Sequence, residues 1–177
     1  MVIHCSKALQ TALKIKKVDL ATSEQLEKEI DSLYSWHGHI AKIGGRNTIV
    51  LMNDKTMYCL LFRNKLPRNK EKFTELMLEA IPYTFETGIV NVAEIINYMS
   101  SVGSIIYADK SDRQITGNIK RMILDMEYGW DYKWVEDETI QAYEALELNR
   151  GLRKMGKDYV VPFEEMLNEL CKLSDNA

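Results

Sequence analysis

His37 and His39 stand two residues apart in a stretch that reads as a strand, so both imidazoles turn to one face while Trp36, Gly38 and Ile40 turn to the other. Two imidazoles at that spacing can ligate one metal ion, zinc or iron, with His4 or Asp54 as a third ligand. A small metal-dependent enzyme would use His37 and His39 with Asp54 or Asp112. The plainer alternative is that one histidine caps a turn or stacks on Tyr58 while the other is solvated. Asp112 and Arg113 open a helical pattern, where a charge pair beside backbone N–H groups suits an anion or a substrate carboxylate, or serves only as a cap. Arg46, Asn53 and Asn149 border expected strands or helix ends, as turn formers, caps or ligand groups.

Nucleophilic chemistry needs Ser or Cys beside a base. Cys5 follows His4, but strand neighbours face opposite ways and cannot pair. Cys59 lies in an apolar run. The chain holds no G-x-S-x-G, no P-loop, no G-x-G-x-x-G and no H-E-x-x-H, so no cofactor is expected.

The other concentrated feature is acidic and aromatic. Residues 125–147 carry eight acids against one base, Lys133. Tyr128, Trp130, Tyr132 and Trp134 alternate within it, and Glu136, Asp137 and Glu138 follow. Such rings dominate binding hot spots, and clustered acids complement a basic partner. The alternative is that two rings finish the core and the acids form a solvated helix face. The binding residues expected from the whole chain are Trp36, Asn53, Asp112, Arg113, Trp130, Tyr132, Trp134, Glu136, Asp137 and Glu138.

These residues need a scaffold, and the pattern supplies one over residues 34–63. It reads as a three-stranded antiparallel meander, with Gly44-Gly45 as the first hairpin turn and Asn53 to Thr56 as the second. Ile49-Val50-Leu51-Met52 is apolar on both faces and should be a covered, central strand. Val2 to Cys5 and Ser104 to Ala108 read as further strands. Helices are expected over residues 7–13, after Thr22 (capping box with Gln25; buried face Leu26, Ile30, Leu33), from Phe73 to a stop at Pro82, and over 91–99 with Val92, Ile95, Ile96 and Met99 inward. Ser111 and Gln114 cap the longest helix, with Ile115, Ile119, Met122, Ile123 and Met126 inward and Gly129 at its end. An acidic helix over 136–148, a basic loop over 149–157 and a last helix from Pro162 complete the pattern. The architecture expected is one α+β domain over residues 1–177, an antiparallel sheet built on the meander and covered by helices of the second half.

At 177 residues with 46% hydrophobic content, the chain can bury a sizeable single core. Its formal charge of -3 argues against non-specific duplex binding. Cys5, Cys59 and Cys171 are too few and too scattered for a disulfide frame, and no apolar run suits a signal peptide or a membrane span. A cytoplasmic location is expected.

Taken in order, Ile3-His4-Cys5-Ser6-Lys7, Trp36-His37-Gly38-His39-Ile40, the strand from Arg46 ending in Asn53-Asp54, Ser111-Asp112-Arg113-Gln114-Ile115-Thr116-Gly117 and the late Leu148-Asn149 resemble a small bacterial and mobile-element family, a domain of unknown function. The chain departs from that pattern at His39, where Asn is usual, and at Lys120-Arg121, near which an Asn-Asp pair is usual. The resemblance implies an α+β fold and no activity. With the catalytic anchors missing, the functional expectation is a binding module whose acidic aromatic surface docks on a basic protein partner. A nuclease or other nucleic-acid enzyme fits, as for an anti-CRISPR-like or antitoxin-like inhibitor from a mobile element. The metal-dependent enzyme and a homodimer sealed by the aromatic strip are the alternatives.

Overall fold

The structure is a computed structural model and describes residues 1–26, 31–88, 90–109, 112–128 and 133–175. Five strands, β1 Val2–Cys5, β2 Ser35–Ile43, β3 Arg46–Asn53, β4 Cys59–Arg63 and β5 Ile106–Asp109, form a sheet in the order β4-β3-β2-β1-β5. The expected meander is present, with β3 antiparallel to both β2 and β4. Gly44 and Gly45 turn its first hairpin at positive φ, a region that costs glycine little. Ile49, Val50, Leu51 and Met52 are fully buried, as a strand apolar on both faces requires.

The rest of the sheet is parallel, which corrects the expectation of an antiparallel one. β1 lies between β2 and β5 and runs parallel to both. Residue alternation reveals a strand but not the direction of its neighbour. The direction follows instead from long helical connections, which parallel pairing demands.

Helices cover both faces. On one, α1 Lys7–Ala12, α3 Lys70–Thr87, α4 Val92–Ser100 and α7 Pro162–Asp175 close a core containing Ile3, Leu9, Trp36, Phe62, Phe73, Tyr98 and Leu170. On the other, α5 Arg113–Tyr128 lays Ile115, Ile119, Met122 and Met126 against Val50, Met52 and Leu61, as its periodicity predicts. The short α2 Ser23–Leu26 opens on the expected capping box, with Thr22 and Gln25 each accepting the other's backbone N–H. Leu26 is exposed rather than buried.

Three helix expectations change. Pro82 does not stop α3, because Thr84 and Phe85 carry the buried face one turn further and Phe85 meets Tyr58 and Tyr98 edge-on. That packing outweighs the roughly 3 kcal/mol a proline costs inside a helix. In α4 the buried stripe is Ile95 and Tyr98, while Val92 and Ile96 face solvent. The acidic helix starts only at Ala142, as α6 Ala142–Arg150. Before it, the Gln141 side chain accepts the Val135 N–H and donates to the Val135 and Glu138 carbonyls, so the chain closes a loop there instead. Beyond α6, the expected basic loop contains a small hairpin, β6 Arg153–Met155 and β7 Asp158–Val160, turning at Gly156. Strands of three residues are too short to show alternation. Ile30, Ser111 and Gly129 lie outside the described residues. Among the described residues no helix is long and apolar enough to cross a membrane.

Candidate functional site

β1 and β5 are adjacent and parallel, yet the helices after them pack on opposite faces, α1 with Trp36 and α5 against Val50. In open sheets of this kind, ligands bind outside the carboxyl ends of strands at such a switch. All three histidines of the chain come to this place, joined by Ser6, Asp109 and Asp112.

The register sets His4 of β1 beside His37 of β2, and their rings stack with centroids 4.6 Å apart at 19°. His37 is 2% exposed and engaged at both nitrogens. Nδ1 lies 2.7 Å from Asp54 Oδ1, and Nε2 lies 3.2 Å from the backbone nitrogen of Asp112. A backbone N–H only donates, so Nε2 must carry the lone pair and Nδ1 the proton, given to Asp54. The imidazole is thereby fixed in one tautomer. His39, two residues on, faces the same side as expected, with Nδ1 2.8 Å from Ser6 Oγ.

Asp54 reaches His37 because Asn53 builds the turn beneath it. Fully buried, Asn53 accepts from the Lys55 and Thr56 N–H groups and the Thr56 hydroxyl, and donates to the Leu33 and Ser35 carbonyls. Ser35 then fixes the aspartate twice: its carbonyl accepts the Asp54 N–H and its hydroxyl donates to the carboxylate.

His4 is half-buried and donates from Nδ1 to the Asp109 carbonyl at 2.9 Å, which places its lone pair on Nε2. Burial is the main reason its proton affinity falls below the ordinary value of 6.5, opposed by the Asp109 carbonyl and assisted by the neighbouring His37. The Asp109 carboxylate is gripped by Lys7 Nζ at 2.6 Å and Gln10 Nε2 at 2.7 Å, which hold it below the usual carboxylate range. Ser6 caps α1 through the Leu9 N–H, and its own N–H donates to the Gly38 carbonyl. The carboxyl ends of β1 and β5 thus gather a half-buried imidazole bonded at Nδ1, a serine hydroxyl paired with a second imidazole, and a lysine–aspartate pair.

Several expected site residues take other places. Trp36 is fully buried, donating from Nε1 to the Tyr98 hydroxyl, because its strand face is the larger core's. Asn53 is a turn builder with every polar atom turned to its own chain. Asp112 caps α5 by accepting the Ile115 N–H, and Arg113 is exposed beside it. Tyr58 lies on the opposite face from His37, whose stacking partner is His4. Both nitrogens of His37 are taken by the protein itself, and no group of three His, Cys, Asp or Glu is arranged to hold a metal ion among the described residues. Cys5 and Cys59 are buried, each thiol pushed up by burial to about 12. Trp130 and Tyr132 lie outside the described residues. Trp134 is half-buried over the Arg63 guanidinium, and Glu136, Asp137 and Glu138 are exposed at the turn beyond. Asn149 is buried, and its amide bonds the Cys59 N–H and carbonyl on the outer edge of β4. Ser6 and Asp109 were not picked out as site residues by sequence reasoning. The signal available was their position, each at or just past the end of a four-residue strand, but it speaks only once the strands are known to be parallel neighbours.

Fold and site together define an α+β protein with a mixed sheet and a cluster of three histidines at its switch point. The chain belongs to the family described as Domain of unknown function (DUF6933), whose model matches residues 2–165. No curated protein matches it.

Proposed function

We propose that this protein binds a small polar ligand at the carboxyl ends of β1 and β5 and moves a proton on it through His4. The observation that supports this most is the convergence of His4, His37 and His39 with Ser6 and Asp109 at the carboxyl ends of β1 and β5, where the following helices go to opposite faces of the sheet. His4 is suited to accept a proton because its Nδ1–H is committed to the Asp109 carbonyl and burial favours its neutral form near neutral pH. His37 is a positioning residue: clamped between Asp54 and Asp112, it gives the His4 ring a flat surface to rest on. Lys7 and Ser6 add a cation and a hydroxyl at the same rim.

The test is a screen of pooled polar metabolites against protein carrying ring-labelled histidine. Hits should move the His4 and His39 ring signals in a saturable way and bind at least tenfold more weakly to His4→Gln and Ser6→Ala. Hits that leave all three ring signals in place, or bind the variants equally well, would remove the proposal.

A second proposal keeps the docking surface, narrowed to the exposed turn Glu136-Asp137-Glu138, for a basic protein partner such as a nucleic-acid enzyme. It predicts partner binding that weakens with salt and on neutralising the three acids. Binding indifferent to both would end it.

A further inference from the structure

Between the end of β4 and the first two turns of α3 lies a cavity of about 500 Å³ lined by charges of both signs. Lys65 and Arg68 stand on the segment leading into α3, and Lys72 in its first turn. Glu75 and Glu79 follow on the same stripe of the helix, one and two turns further along. The signs are therefore sorted along the cavity, cations where the helix begins and carboxylates beyond. None of these five side chains is ion-paired or hydrogen-bonded among the described residues. Helix geometry accounts for this. Lys72 precedes Glu75, the poorer order for a helical pair, and Glu75 and Glu79 are four apart, where like charges repel. A cation beside the two carboxylates and an anion beside the three cations would relieve both ends.

The walls are held in place by their own hydrogen bonds. Asn69 caps α3 by accepting the Lys72 N–H at 2.9 Å, which sets where the helical stripe begins. Thr139, on another wall, is tied to the outer edge of β4: its carbonyl accepts the Arg63 N–H at 2.8 Å, and the Gln141 N–H beyond it donates to the Leu61 carbonyl at 2.9 Å. Leu66, Pro67 and Leu76 add apolar, half-buried lining. Leu76, Glu79 and Thr139 also line a second cavity of about 320 Å³ with Tyr83 and Glu138, so the hollow continues along α3 and gains a third carboxylate.

The volume suits a small molecule, and the charge pattern asks for one with an anion and a cation held apart. Lys72 and Glu79 are seven residues apart, roughly 10 Å at helical rise. Three residues of extended peptide span about the same, at roughly 3.3 Å each. We infer that this cavity binds a short peptide with free termini, its carboxylate toward Lys65, Arg68 and Lys72 and its ammonium toward Glu75 and Glu79. A lone anion or a lone cation would answer one end only. The site is separate from the histidine cluster: it adjoins β4 at one edge of the sheet, whereas β1 and β5 lie toward the other.

The full-length protein is titrated with trialanine and trileucine, then with the N-acetylated and the C-amidated form of each, at constant ionic strength. Calorimetry gives affinity, and backbone N–H signals give location. Saturable binding of at least one free tripeptide is expected, shifting signals over residues 65–79. Blocking either terminus should weaken it roughly fivefold, the upper end for an exposed ion pair, and so should Lys72→Gln and Glu79→Gln. The N-acetylated peptide should bind Glu79→Gln no more weakly than it binds the unaltered protein, because their shared contact is already gone. Both replaced side chains are exposed, and an unchanged thermal midpoint checks that the variants fold. No saturable binding of either tripeptide, equal binding of a blocked form, equal binding by the variants, or shifts at the His4 ring in place of α3 would overturn the inference.

Discussion

Replacing Asp54 with alanine strips the carboxylate acceptor from two buried groups. The His37 Nδ1–H, on a ring 2% exposed, loses its partner at 2.7 Å, and the Ser35 hydroxyl, on a residue 7% exposed, loses the other carboxylate oxygen. A buried donor left without an acceptor costs about 1–3 kcal/mol, so the two together should cost about 2–6 kcal/mol. The turn itself should survive, because Asn53 builds it independently of the Asp54 side chain. Urea unfolding measures the total, and hydrogen exchange of the Asp112 amide reports whether His37 still accepts from it. That amide should exchange faster as the ring loosens. Asp54→Asn, which keeps an acceptor oxygen, should recover part of the loss. A cost in Asp54→Ala below about 1 kcal/mol with unchanged Asp112 exchange would refute the claim that this carboxylate positions His37.

Other perturbations probe the same frame. Asn149→Ala leaves the N–H and carbonyl of Cys59 buried and unpaired on the outer edge of β4, and should lower unfolding free energy by about 2–5 kcal/mol in urea. In Gly38→Ala the new methyl would meet Leu9 Cδ2 at 2.6 Å and Leu51 Cδ2 at 2.8 Å; both are side-chain ends that can shift, so a cost of about 1–3 kcal/mol is expected in the same assay. Because folding lowers the His4 proton affinity, the unfolded chain takes up a proton that the folded ring resists, and His4 should lower stability as pH falls through about 6.5. Thermal midpoints measured across that range should fall less steeply on acidification in His4→Gln, and an unchanged slope would contradict the shift.

The meander was legible because its signals are local. Gly44-Gly45 supplies the only easy positive-φ turn between two apolar runs, and the stretch Ile49 to Met52 admits nothing but a covered strand. The face shared by His37 and His39 followed from alternation alone. What escaped is non-local. No pattern in Val2–Cys5 or Ile106–Asp109 tells that these strands lie side by side, yet that pairing brings His4 and Asp109 to His37. Trp36 and Trp134 are rings that recognition sites favour, but the same area makes them useful to a core and to a buried guanidinium. The stop expected at Pro82 failed for the same reason, since Phe85 has tertiary partners that a local rule cannot weigh. The acidic helix was misplaced because Gln141 satisfies backbone groups with its side chain, an option periodicity does not register.

Ring-nitrogen spectra of histidine-labelled protein, recorded free and with a ligand found by the metabolite screen, bear on the histidine cluster with the fewest intermediaries. His4 and His37 should both carry their proton on Nδ1, and ligand should move His4 Nε2 while His37 stays unchanged. A His37 proton on Nε2, or a ligand that leaves His4 Nε2 where it was, would contradict the assignment of this cluster as the working site.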